Sequence, residues 1–70
     1  PARLPDAERV LLEAVALNTS LADPHYQLGE TYRLMGDVAR ARAEYEEYLR
    51  LAPADAIWVQ DSKDQLAKLQ

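Results

Sequence analysis

The chain has no cysteine, so neither a disulfide nor a thiolate metal site can hold it together. It has two glycines, which excludes a Gly-rich disordered segment and leaves no phosphate-cradling glycine loop. Aromatic residues make up only 7%, so the apolar half of the chain is mostly alanine and leucine, a mix that favours helix. No apolar run approaches the ~20 residues a bilayer-spanning helix needs, and no signal-peptide pattern is present. A soluble chain is expected, its compartment left open with the cytoplasm preferred. Positive charge is in the minority: 8 Lys and Arg against 12 Asp and Glu give a net charge of −4, which argues against general binding to nucleic acid or to an anionic membrane. At 70 residues, the chain makes one small domain, 1–70, able to bury only ~60% of the surface it exposes when unfolded. It begins at Pro1 without Met and so reads as a piece of something longer.

What is present is helix punctuation. Pro5, followed by Asp6 and Glu8, reads as a helix start, with proline at the first position and acids at the positive end of the dipole. Leu11, Ala14, Val15 and then Leu17 form an apolar stripe at helical spacing, and Asn18-Thr19-Ser20 closes that helix. Asp23-Pro24 opens the second, with Asp23 as the expected cap. Its inner face reads His25, Leu28, Gly29 and Tyr32. Gly36 stops it with a left-handed cap, and Asp37 caps a third helix almost at once. So short a connection forces the second and third helices antiparallel. The third carries Ala41, Tyr45, Tyr48 and Leu49 and ends near Leu51, before Ala52-Pro53. Asp55 is the expected cap of a fourth helix running towards Gln70, with Trp58, Val59, Leu66 and Leu69 as its apolar face, interrupted by Ser62. No stretch alternates with period two, so no strand is expected.

An internal repeat emerges on displacing the chain against itself. One shift carries Ala7 onto Ala41, Leu11 onto Tyr45, Glu13 onto Glu47, Val15 onto Leu49 and Leu17 onto Leu51. The first helix is therefore the counterpart of the third. The fourth compares poorly with the second: Ser62 meets Leu28, Lys63 meets Gly29, and Leu66 meets Tyr32. Leu28, Gly29, Tyr32, Ala41, Tyr45 and Pro53 at this spacing resemble the tetratricopeptide repeat family. The chain departs from that pattern at His25, where an aromatic is usual, and at Tyr48, where alanine is usual. The resemblance implies an all-α fold: antiparallel helix hairpins stacked as a short right-handed α-solenoid of about four helices. Residues 5–19 would be the second helix of a preceding repeat, 22–53 a complete repeat, and 55–70 a C-terminal capping helix. Glycine inside a helix costs ~1 kcal/mol relative to alanine, so Gly29 is expected to offset that cost by close approach of the neighbouring helix, with Ala41 as the facing small residue.

Chemistry finds little to work with. His25 is the sole histidine and has no cysteine or patterned acid around it, so a packing role near a helix start outweighs metal binding or catalysis. Glu44, Glu46 and Glu47 do not share one helix face; with Arg40, Arg42 and Arg50 they read as i, i+4 charge lacing. Asn18-Thr19-Ser20 satisfies the N-glycosylation pattern, but helix termination accounts for it. Tyr45, Tyr48 and Trp58 read as packing rather than as a ligand cage. No nucleophile motif is present, so no enzyme activity, cofactor or metal is expected.

The polar set that invites a function is Asp23, Tyr26, Glu30 and Arg33 on the second helix, with Gln60 and Asp64 comparably placed on the fourth. The resemblance implies that the first helix of each pair lines a concave groove and that residues at these positions contact a partner. A solvated polar face is the competing reading. In one variety of the family a cationic and amide clamp in the groove grips a C-terminal carboxylate; here Tyr26 and Glu30 hold the matching places, so that clamp is missing. The expectation is a non-catalytic protein–protein interaction module whose partner, a protein or peptide segment, lies in the groove. The alternative is a structural spacer or self-association element. The Val10, Leu11, Leu12 and Val15 surface needs a cover, which upstream repeats, a second copy or a swapped helix could each supply.

Overall fold

The computed structural model describes residues 4–69; residues 1–3 and 70, the ends of the expected domain, lie outside the described residues. Four helices follow one another: α1 (Leu4–Leu17), α2 (Asp23–Met35), α3 (Val38–Leu51) and α4 (Val59–Lys68). Among the described residues there is no strand. Each helix packs on its chain neighbour, α1 on α2, α2 on α3 and α3 on α4, giving the short α-solenoid of stacked hairpins that the repeat implies.

The α2–α3 turn is made as the residues dictate. Gly36 adopts φ 80° and ψ 10°, a left-handed conformation open to glycine without steric cost. The Asp37 amide donates to the Tyr32 carbonyl at 2.9 Å and the Gly36 amide to that of Arg33 at 3.1 Å, which satisfies the last carbonyls of α2. The Asp37 carboxylate then accepts from the Arg40 amide at 3.1 Å and caps α3. Ala52, ahead of Pro53, is extended, as a residue preceding proline prefers.

Two helix starts differ from expectation. Asp23 is the first residue of α2 rather than its cap; Ala22 holds that place in helical conformation with no side-chain bond. The His25 amide reaches the Ala22 carbonyl at 3.0 Å, so the backbone begins turning one residue early and leaves Asp23 as favourable charge in the first turn. Asp55 does not cap α4, which starts at Val59 behind Trp58. The chain crosses 53–59 through turns instead, with the Ala56 amide bonded to Pro53 at 2.9 Å and the Val59 amide to Ala56 at 3.2 Å. Burial of the Trp58 ring overrides the capping signal, and the Tyr48 hydroxyl accepts the Trp58 amide at 3.3 Å in place of a side-chain cap.

The core is Tyr26, Leu28, Tyr32, Ala41, Tyr45 and Tyr48, with Leu11, Val15, Leu49, Trp58, Val59, Leu66 and Leu69 packed against it. The expected inner face of α2 is buried throughout, His25 and Gly29 included. Leu17, by contrast, is exposed, because it lies past the part of α1 that α2 covers. The close approach at Gly29 is to Tyr45, not Ala41. A Cβ built there would stand 2.8 Å from Tyr45 Cε1 and 2.9 Å from its Cδ1. The missing side chain makes room for an aromatic ring that is itself fully buried and so has nowhere to go.

The charges of α3 also pair otherwise than by the expected i, i+4 lacing, whereas Arg9 and Glu13 on α1 do form such a pair at 3.1 Å. Arg40 reaches Asp37 at 3.5 Å and Glu8 of α1 at 3.7 Å, and lies 5.7 Å from the centre of the Tyr32 ring. Arg42 donates to the Leu69 carbonyl at 2.6 Å. Arg50 pairs with Glu47, and Glu44 bonds His25 at 2.7 Å. For Arg40, Arg42 and Glu44, contacts to other parts of the fold win over the weak lacing, which is worth only tenths of a kcal/mol, while Arg50 takes its i, i+3 partner.

Two stability outcomes follow. Gly29→Leu gains ~1 kcal/mol of helix propensity but drives side-chain atoms into a buried ring, so a net loss of ~1–3 kcal/mol is expected, read as a lowered thermal midpoint. Ser62 is fully buried and its hydroxyl has no hydrogen-bond partner. Ser62→Ala removes that orphan and a poorer helix former together, and a gain of ~1 kcal/mol is expected in urea unfolding.

Candidate functional site

The candidate site is the surface where α2 meets α4. On α2, residues Asp23, Tyr26, Glu30 and Arg33 follow at i, i+3 and i+4 spacing and so form one stripe. On α4, Gln60 and Asp64 are exposed and joined by a 3.0 Å bond from the Gln60 amide to the Asp64 carboxylate. The site is open, with no enclosed cavity among the described residues.

Tyr26 does not stand free on this surface, as the sequence suggested. It is only 9% exposed. Trp58 lies flat on its ring, with centroids 4.6 Å apart and planes 6° from parallel. Tyr45 meets it edge-on at 5.9 Å and 64°, and Tyr48 stands tilted at 5.6 Å. The ring is thus the centre of an aromatic cluster drawn from α2, α3 and the approach to α4. Tyr45, Tyr48 and Trp58 pack around Tyr26 rather than lining a cage. What Tyr26 brings to the surface is its hydroxyl. That oxygen lies 3.0 Å from the Glu30 carboxylate and in short contact with the Asp61 carboxylate of α4.

Glu30 gathers the surrounding donors. It accepts from the Tyr45 hydroxyl at 2.6 Å and from Arg33 Nε at 2.8 Å, besides its contact with Tyr26. Burial works to raise its carboxyl, but the bonds from Tyr45, Arg33 and Tyr26 outweigh it and hold the group below the ordinary carboxylate range. Burial, and then the bonds to Asp61 and Glu30, push the Tyr26 hydroxyl well up; burial and Glu30 do the same to Tyr45 against the opposing pull of Arg33. Both phenols therefore keep their protons at any ordinary pH. Arg33, expected to contact a partner, is half-buried and tied to Glu30. Asp23 is exposed.

Asp61 is the member of this set that sequence reasoning passed over. It precedes Asp64 by one turn of α4 and shares its side of the helix, and that spacing was the available signal. Glu8 of α1 was likewise missed as the acceptor of the Tyr32 hydroxyl at 2.8 Å. Elsewhere, Asn18 folds back so that its side-chain oxygen accepts from the Ser20 amide at 3.1 Å and hydroxyl at 2.7 Å, a local turn that ends α1. His25 pairs with Glu44 alone, and among the described residues no three His, Cys, Asp or Glu are grouped to hold a metal ion. No described helix is long and apolar enough to cross a membrane.

The left-handed glycine turn, the ring-accommodating Gly29 and the buried Leu28, Tyr32, Ala41 and Tyr45 define one helix pair. Residues 22–55 match the Tetratricopeptide repeat family. No curated protein and no solved structure matches the chain. Repeats of this family mediate protein–protein interaction and are typically non-catalytic. With its packed helix pair and that match, the segment 22–55 is a repeat of the tetratricopeptide repeat family.

Proposed function

We propose that this domain is a non-catalytic recognition module that holds a segment of a partner protein along the α2–α4 surface. The observation that carries the reading is the joining of the two polar stripes by the Tyr26–Asp61 bond, which makes one continuous face of Asp23, Glu30, Arg33, Gln60, Asp61 and Asp64. Of these charges, Arg33 is engaged by Glu30, so the balance of the face is acidic. A segment bearing Lys or Arg is the fitting partner, because complementary charge speeds encounter and sets register.

Tyr26 contributes to this face through its hydroxyl and through the support it gives Trp58, so its truncation would disturb folding and binding together. The exposed acids separate the two. In a selection from random peptides, enrichment of Lys- and Arg-containing sequences is expected. The double variant Asp23→Lys/Asp64→Lys should keep the helical circular dichroism and lose about tenfold or more in affinity for them, ~1.4 kcal/mol. Equal binding by both proteins would reject the face.

A second reading, self-association or service as a spacer within a repeat array, rests on α1. Val10 is 53%, Leu12 45% and Leu17 88% exposed, whereas Leu11 and Val15 on the same helix pack inward. A repeat buries its apolar face on its neighbours. If a second copy covers this one, light scattering should show mass rising with concentration, and Val10→Lys/Leu12→Lys should hold the chain monomeric. A wild-type mass independent of concentration excludes obligate self-association.

A further inference from the structure

Two large apolar residues stand in the open at the ends of the α2–α4 face. Leu34 is 61% and Ile57 81% exposed, and neither belongs to the core or packs on it. Leu34 follows Glu30 by four residues on α2 and so continues the stripe of Asp23 and Glu30. Ile57 precedes Gln60 by three residues, in the turn closed by the Val59 amide on the Ala56 carbonyl, next to Trp58, whose ring covers Tyr26. The two helices run the same way. The Tyr26 hydroxyl, near the start of α2, meets Asp61 near the start of α4. Arg42, near the start of α3 and hence beside the end of α2, bonds the Leu69 carbonyl at the end of α4. Ile57 therefore lies at one end of the face, level with Tyr26, and Leu34 at the other, with Glu30 between the two levels.

We propose that the segment held on this face reads apolar–x–basic–x–apolar: an extended peptide whose central Lys or Arg lies over the acids while its apolar side chains rest on Ile57 and Leu34. This rests on the recognition reading given above and adds what the segment carries besides charge. Leu34 lies eight residues beyond Tyr26, ~12 Å along α2 at ~1.5 Å per residue. An extended chain covers that length in about four residues. Residues i, i+2 and i+4 of such a chain point to one side, so apolar side chains seated at the two ends bring a central basic one to the level of Glu30. There the charge is negative, since Glu30, Asp61 and Asp64 face a single Arg33 that is already tied to Glu30. Single exposed apolar residues are ordinary on a surface; here two stand at the ends of one charged stripe, at a distance five extended residues span. Salt screens attraction between exposed charges but not apolar contact, so the two ends hold the segment where charge alone would let it go.

Three labelled peptides of equal charge test this by fluorescence anisotropy: Ser-Lys-Arg-Lys-Ser, Leu-Lys-Arg-Lys-Leu and Leu-Leu-Lys-Arg-Lys, each set in a serine–glycine frame. Wild type should bind the second about tenfold tighter than the first, and the third, whose leucines are displaced, should lose most of that advantage. Leu34→Ser/Ile57→Ser should keep the helical circular dichroism, because both residues lie outside the core. It should bind Ser-Lys-Arg-Lys-Ser as wild type does and show no preference among the three. If wild type binds all three alike, or the double variant keeps the preference, the apolar ends are rejected while the acidic face stands. If none binds, or if Asp23→Lys/Asp64→Lys binds Ser-Lys-Arg-Lys-Ser as well as wild type does, the recognition reading fails and this inference falls with it.

Discussion

The structure depends on a hydrogen atom standing where other residues carry a carbon. At Gly29 the missing Cβ admits the Tyr45 ring to within 2.8 Å of the place that carbon would take. α2 and α3 therefore lie close enough for an aromatic from one to be fully buried against the other. The same placement delivers the Tyr45 hydroxyl to Glu30 at 2.6 Å. One steric allowance thus sets both the packing of the helix pair and the position of the carboxylate at the centre of its polar surface.

From that carboxylate the order passes outward to α4. Tyr26 stands beside Glu30, and its ring is the platform on which Trp58 lies. Stacked and edge-on aromatic pairs contribute ~0.5–1.5 kcal/mol beyond their area, a sizeable amount for a domain this small. Trp58 is worth more to the fold on Tyr26 than inside a helix. The chain accordingly gives up the cap at Asp55 and starts α4 only after the ring is seated. Tyr48, bulky where the family has alanine, fits because it faces this aromatic cluster and its hydroxyl accepts the Trp58 amide.

Much of this was legible in the residues. Gly36 and Asp37 marked the α2–α3 turn because their preferences are local: a left-handed backbone and a short acceptor side chain act within a few residues. The stripe His25, Leu28, Gly29, Tyr32 marked the buried face because helical periodicity decides which residues share a side. The errors fall where a long-range partner outbid a local preference. Arg40, Arg42 and Glu44 left their expected i, i+4 partners for Glu8, Leu69 and His25. Tyr26 sat on the polar side of the helical wheel, yet it is buried, because Trp58 lies over it and Tyr45 and Tyr48 flank it. The polar stripe of α2 was legible from its spacing, but its bonding and the approach of Asp61 were not, since no pattern within α2 shows what α4 brings to it.

The sequence by itself determined that this is an all-helical repeat, where its turns fall and which face of α2 is apolar, because dihedral preference, capping and periodicity are properties of neighbouring residues. Only the tertiary structure decided that Gly29 receives Tyr45, that Tyr26 is covered by Trp58, and that Glu30 and Asp61 meet at one hydroxyl. Those are contacts between residues far apart in the chain, chosen by which rings and charges could be buried or paired together once the helices had stacked.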